Sequence, residues 1–190
     1  MSKTDLSRYN NSGYYPGGLL RRGLWYFANV LFFLNPLNPL SGLKVFLLRL
    51  FGAKIGRGVV IKPAVNIKYP WKLIVGDHCW IGENVWIDNL ADVKMGSHVC
   101  LSQGALLLTG NHDLTLPTFD LKTAEISLHD GVWIGARAVV CPGVTCHSHA
   151  FLTVQSVATR DLEAYSVNRG NPAVKVKDRI IGGRPEQTGM

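Results

Sequence analysis

Among the side chains of this sequence that could do acid–base, nucleophilic or metal chemistry, His112 is set apart by its surroundings. It stands in Thr109-Gly110-Asn111-His112-Asp113, where an otherwise regular pattern of apolar residues breaks off. Imidazole titrates near neutrality, so a histidine on an outward loop can take a proton from an attacking hydroxyl. Asp113 is its neighbour and a candidate to orient the ring. No Cys or Ser stands beside His112 in a position to form a covalent intermediate, which points to direct transfer. Of the other histidines, His78 and His98 hold the fourth place of a six-residue repeat, His129 and His147 the second, and His149 also lies inside one. These five read as turn residues. Cys79, Cys100, Cys141 and Cys146 form no Cys-x-x-Cys pair and read as reduced, small apolar residues, so no metal is expected.

The elements that must position His112 follow from the repeat. Aliphatic residues recur every six positions from Ile55, commonly followed by Gly: Ile55, Ile61, Ile67; Val75, Ile81, Ile87; Met95, Leu101, Leu107; Leu128, Ile134, Val140; Cys146, Leu152, Ala158. All of these starting positions are apolar, although only 47% of the chain is. That excess marks a structural repeat. The register slips after Ile67, Ile87 and Leu107, always after three hexads, and the longest insertion follows Leu107. Three hexads per turn of a triangular coil place every insertion over one corner. Alternation within each short strand sends the first hexad position inward and the sixth, which includes Trp80, Trp86 and Trp133, outward. The expected architecture is an all-β parallel β-helix of about five coils, with an extended loop at 109–124 and a helical arm before it. Three outward tryptophans suggest a surface that something covers.

The arm divides from the rest by composition. Residues 1–52 contain two short amphipathic stretches within 19–51, flanked by Arg21, Arg22, Lys44, Arg49 and Lys54. Neither reaches the roughly 20 apolar residues that a bilayer crossing needs. In the second stretch Leu43, Phe46, Leu47 and Leu50 share one helical face. Two roles are compatible: a cap over the open end of the repeat, and peripheral contact of Trp25, Phe27, Phe32 and Phe33 with the inner face of a membrane. Residues 53–174 carry the repeat and 175–190 read as a basic C-terminal tail. Twenty Lys and Arg against 13 Asp and Glu give a net charge of +7, which favours anionic partners. The cations are dispersed and lack a reading helix or stacking platform, so no nucleic acid is expected. A polar start without a signal-peptide core points to the cytoplasm.

The Ile-Gly-x-x-x-x runs resemble those of the hexapeptide-repeat acyltransferases. The resemblance narrows through Leu48–Gly56, Tyr69–Leu73, Leu101–Ala105, Thr109–Asp113, Val132–Ala136, Pro142–Val144 and Gly170–Ala173. Over almost its whole length the chain is similar to the bacterial O-acetyltransferases of exopolysaccharide synthesis, the colanic-acid type. This resemblance implies a left-handed β-helix, where the general crossover rule gives the right hand. It implies a homotrimer with active sites at subunit boundaries, acetyl-CoA as donor, and a saccharide hydroxyl as acceptor in exopolysaccharide or capsule biosynthesis, free or lipid-linked. His112 occupies the position of the family's catalytic base, and Asp88 and Asn89 correspond to residues that contact the acceptor. The donor would lie beside Trp133, Gly135, Ala136, Val154 and Thr159, with Arg160, Arg169, Lys175, Lys177 and Arg179 as candidate phosphate partners. Thr153-Val154-Gln155 departs from the small residues of many relatives and narrows the donor slot. An acetyltransferase of free small sugars or antibiotics would keep the same base and donor, whereas a non-catalytic β-helix scaffold would need neither.

Overall fold

The computed structural model describes residues 3–182. From residue 54 the chain winds as a triangular prism of three parallel sheets. Face 1 contains Lys54–Ile55, Leu73–Val75, Val93–Met95, Ile126–Leu128 and Thr145–Cys146. Face 2 runs from Val60–Ile61 through Trp80–Ile81, Cys100–Leu101, Trp133–Ile134 and Phe151–Leu152 to Ser166–Gly170. Face 3 contains Asn66–Ile67, Trp86–Asp88, Leu106–Leu108, Val139–Val140 and Val157–Ala158. Five coils are complete, and a sixth begins with the Leu162 bridge to Cys146 and the pairing of Val167 with Phe151. All the insertions fall on the corner between faces 3 and 1, as the spacing predicts.

The hexad explains the winding residue by residue. Its first position points inward: Ile61, Ile81, Leu101, Ile134 and Leu152 are stacked and almost fully buried. The fifth position also turns in at the corners, as Val65, Val85, Ala105 and Ala138 do, so the core is filled twice per side. The fourth position takes left-handed backbone, with φ +58° at Asn84 and His98 and +60° at His149. His78, His98 and His149 therefore belong to the coil geometry, because a short polar side chain tolerates that conformation. The recurrent glycine has a different cause. A Cβ on Gly76 would lie 2.6 Å from the carbonyl carbon of Gly96 in the next coil, so backbone packs on backbone there.

The first coil has no coil before it, and the arm supplies the missing partners. Helix α1 (Leu19–Ala28) continues through a π turn at Asn29–Phe33, and helix α2 spans Ser41–Leu50. Ser41 Oγ accepts from the Ile61 amide at 2.8 Å, and Lys44 Nζ donates to the Lys62 carbonyl at 2.8 Å. Arg49 donates to the carbonyls of Ile55 and Gly56, and Trp25 Nε1 to that of Ile67. All three faces are thereby closed at this end. The buried face of α2 is shifted from the one expected, although Leu47 still packs on the core. Lys44 and Leu48 point in, whereas Phe46 and Leu50 are exposed, because an edge carbonyl needs the ammonium more than the core needs another phenyl ring. The aromatic residues proposed for membrane contact also need correcting. Trp25 and Phe33 are buried against the prism, and Phe32 packs on the core; only Phe27 faces out.

The other end closes on a hairpin. Ala173–Asp178 pairs antiparallel with Ser166–Gly170, so Lys175 and Lys177 belong to a strand rather than a tail, and the rest of that segment beyond residue 182 lies outside the described residues. Replacing Gly76 with Ala drives a methyl into the Gly96 backbone. Overpacking of this kind costs roughly 1–3 kcal/mol, to be read as a lower urea midpoint at unchanged m-value.

Candidate active site

His112 ends the strand Gly110–His112, which leaves the prism after face 3 and pairs antiparallel with Leu121–Thr123. Thr109 roots this hairpin: its buried Oγ1 donates to the Asp88 carbonyl at 2.8 Å and accepts from the Ala91 amide at 3.0 Å. The His112 ring stacks on Phe119 with centroids 4.4 Å apart, and Tyr9 meets it edge-on at 5.9 Å. Its Nδ1 lies 2.8 Å from the Phe119 carbonyl oxygen. A carbonyl only accepts, so the neutral ring carries its proton on Nδ1 and leaves the Nε2 lone pair free for a substrate. Phe119 holds φ at +55°, an uncommon conformation for so bulky a residue, and its carbonyl is the one that orients the His112 ring.

Asp113 does not orient the ring. Its carboxylate accepts from Thr115 N at 2.9 Å, Thr115 Oγ1 at 2.6 Å and Lys122 Nζ at 2.7 Å, which fastens the loop across its own base. Lys122 and then Thr115 hold its acidity well above the ordinary, with a pKa of about 2. Asn89 is also corrected. It is fully buried, accepts from the Tyr69 amide at 3.0 Å and donates to the carbonyls of Tyr69 and Lys72, so it holds the preceding corner and has no face for an acceptor. Asp88 remains beside an open space, 3.0 Å from Lys68 Nζ.

The residues expected at the donor fall into two groups. Trp133, Gly135, Ala136 and Val154 gather on face 2 and its following corner. There a Cβ on Gly135 would lie 2.7 Å from the Val154 amide nitrogen, and Gln155 N donates to the Ala136 carbonyl. Trp133 stacks on Phe151 at 4.0 Å and donates to Ser102 Oγ at 2.8 Å. Lys177 continues the same outward row, since Trp133 registers with Phe151, Phe151 with Val167 and Val167 with Lys177. Thr159 and Arg160 lie instead on the corner between faces 3 and 1, two coils beyond the His112 hairpin, and both are exposed. Lys175 is bound by Glu163 and Asp178, each at 2.9 Å, and Arg179 donates to the carbonyls of Gly131 and His149. Both cations thus already have protein acceptors, which a phosphate would have to share or displace. Trp80 lies under Lys62 Nζ, 4.9 Å from the ring centroid. Sequence reasoning missed Phe119 and Tyr9: the first acts through its backbone, and the second arrives from a segment more than a hundred residues earlier. Among the described residues no three His, Cys, Asp or Glu side chains gather as a metal site, and no helix is long and apolar enough to cross a membrane.

A prism of parallel coils with a histidine-bearing loop on one corner is a parallel β-helix with its candidate chemistry on that corner. No protein-family profile matches the chain. It is 37% identical over 177 residues to an Escherichia coli protein named as a colanic acid biosynthesis acetyltransferase, WcaF, which covers 93% of this chain and 97% of that one. The structure superposes with a TM-score of 0.76 on a Vibrio cholerae hexapeptide-repeat acetyltransferase complexed with acetyl-CoA, at 21% identity over 84% of this chain and 87% of that one. It superposes with a TM-score of 0.74 on a galactoside acetyltransferase in complex with coenzyme A, at 21% identity over 84% and 80%. The fold is thus the left-handed β-helix. The chain belongs to the hexapeptide-repeat acetyltransferases.

The loop contacts of Asp113 make the hairpin acid-sensitive in a defined window. The folded pKa lies below the ordinary 3.8, so the carboxylate's stabilisation is complete above 3.8 and is lost as pH falls through about 2. Protection of the amides of residues 113–122 other than Pro117, taken relative to the intrinsic exchange rate at each pH, should fall across that interval in the wild type. In Asp113→Ala it should be low on both sides of it.

Proposed function

We propose that this chain is an acetyl-CoA-dependent O-acetyltransferase acting on a saccharide hydroxyl in exopolysaccharide or capsule biosynthesis, with His112 as general base. The observation that carries the reading is the Nδ1–H bond from His112 to the Phe119 carbonyl, which leaves Nε2 as the free basic atom of an outward-facing ring. The acceptor hydroxyl gives its proton to Nε2 as its oxygen attacks the thioester carbonyl. The new C–O bond forms, the C–S bond breaks, and the coenzyme A thiolate leaves with that proton returned from the imidazolium. Backbone amides stabilise the oxyanion. The colanic-acid relative and the galactoside enzyme support a saccharide acceptor, and the neighbours solved with acetyl-CoA and coenzyme A support the donor.

The placing of the expected donor residues supports assembly as a cyclic trimer. Trp133, Gly135, Ala136, Val154 and Lys177 lie on a different edge of the prism from Thr159, Arg160 and the His112 loop. One donor molecule spans both sets when edges of neighbouring chains meet, and outward Trp80 and Trp133 suit such a covered surface. We assign the protein to the cytoplasm, at the inner membrane face when the acceptor is lipid-linked. Leu20, Leu24, Phe27 and Leu31 form an exposed apolar stripe along the arm, and the net charge of +7 suits anionic lipid.

Titration calorimetry should show acetyl-CoA binding to both the wild type and His112→Ala. Transfer to a saccharide should fall about 10²–10⁴-fold in the variant, the usual worth of a general base. Absence of donor binding by the folded wild type overturns the reading. For the membrane contact, the intact protein should float with anionic vesicles, and the double variant Leu24→Glu, Phe27→Glu should stay in the dense fraction. Equal flotation removes the contact.

A further inference from the structure

A cavity of about 600 Å³ lies between α1 and the outer surface of face 3. Its lining includes Arg22, Asn29, Lys68, Tyr69, Trp86 and Asp88. Three polar atoms of these residues are buried without a hydrogen-bond partner: Arg22 Nε, Asn29 Oδ1 and Asp88 Oδ1. Asn29 and Asp88 are each only 8% exposed. Asn29 Nδ2 donates to Asn66 Oδ1 at 2.9 Å, which fixes the amide and leaves its oxygen alone. Asp88 Oδ1 has Lys68 Nζ at 3.0 Å as an ion pair, without a directed hydrogen bond. Buried polar atoms are almost always paired, so the two orphans, Arg22 Nε and Asn29 Oδ1, beside a carboxylate oxygen held only by an ion pair, call for a partner that is not part of the protein.

We propose that this cavity is a saccharide subsite, in which Arg22, Asn29 and Asp88 hold a sugar ring of the acceptor against Trp86 and Tyr69. The inference deepens the acetyltransferase reading and rests on it. The orphans are one donor and one acceptor, with the Asp88 oxygen as a further acceptor, and a pair of sugar hydroxyls satisfies both kinds because each hydroxyl donates and accepts. A hydrocarbon chain would leave Arg22 Nε and Asn29 Oδ1 unpaired. A phosphate would suit Arg22 and Lys68 but would press on the Asp88 carboxylate that Lys68 already neutralises and would leave the Asn29 oxygen without a donor. The exposed ring of Trp86 offers an apolar face to a pyranose. The subsite and the base share a corner, since the Asp88 carbonyl accepts from Thr109, three residues before His112. Helix α1, besides closing the prism, thereby selects the acceptor.

Saturation-transfer NMR on the full chain tests this with cellobiose, lactose and methyl α-fucoside as probes and farnesyl phosphate as competitor. Val30→Trp fills the cavity from its exposed rim, and Asn29→Leu removes one acceptor; acetyl-CoA titration checks that each variant is folded. Ring-proton signals from at least one saccharide in the wild type, lost in Val30→Trp and not displaced by farnesyl phosphate, support the subsite. In transfer assays the saccharide KM should then rise about tenfold in Asn29→Leu at a largely retained kcat. Saccharide signals unchanged in Val30→Trp, displacement by farnesyl phosphate, or no signal from any of the three saccharides overturns it. Loss of this proposal with acetyl transfer intact leaves the acetyltransferase reading standing, whereas failure of the wild type to bind acetyl-CoA removes both.

Discussion

A parallel β-helix hydrogen-bonds every strand to the coil before and the coil after, so its two ends present rows of unpaired amides and carbonyls. The rest of this molecule is arranged around that constraint. At the first coil, Ser41, Lys44, Arg49 and Trp25 deliver side-chain donors and an acceptor to edge groups on all three faces. At the last, the strand Ala173–Asp178 folds back antiparallel on Ser166–Gly170, and Arg179 pins two corner carbonyls. Buried edges without these partners would be costly, and exposed ones would pair with other chains. The burial of Lys44 makes sense only in this light. Its burial disfavours the charged form, which lowers the ammonium pKa, yet the Lys62 carbonyl holds it in place.

Within the prism, uniform winding leaves little room for chemistry, because inward positions are packed and most outward positions repeat. Function is concentrated where winding is interrupted. The insertion after Leu108 grows into a hairpin whose root is fastened by Thr109 and whose far end is fastened by Asp113, Thr115 and Lys122. The His112 ring is then set by a backbone carbonyl and an aromatic stack. The N-terminal segment crosses the same loop, through Asp5 N to the Pro117 carbonyl and through Tyr9 to the His112 ring. One arm thus serves as end cap, loop support and wall of the cavity beside Asp88. These roles are compatible because the corner carrying the insertions is also the corner that the arm must pass on its way to the first coil.

The hexad was legible because its cause is local. Aliphatic first positions, glycine at close coil contacts and left-handed fourth positions each leave a mark every six residues, and the insertions mark their own corner. His112 was legible for the same reason, standing where the period fails. The corrections all concern side chains whose partners lie far away in sequence. Asn89 read as an acceptor contact until the Tyr69 and Lys72 backbone came to it, and Asp113 as a partner of His112 until Lys122 did. Of the plausible inner face Leu43, Phe46, Leu47 and Leu50, Leu47 kept its place on the core, while the edge carbonyls of the first coil drew Lys44 inward and Phe46 and Leu50 were left exposed. Lys175 and Arg179 read as free cations because Glu163, Asp178 and the corner carbonyls of Gly131 and His149 are brought to them only by folding.

Periodicity and its interruptions therefore determined, from the sequence alone, the three-sided coil, the corner that bears the loop and the histidine upon it. Each depends on residues within one or two coils of each other. The tertiary structure alone decided the tautomer of that histidine, the closure of both ends and the orphaned polar atoms beneath α1. Those depend on backbone groups and on side chains separated by tens of residues, and no repeat in the sequence records which of them will meet.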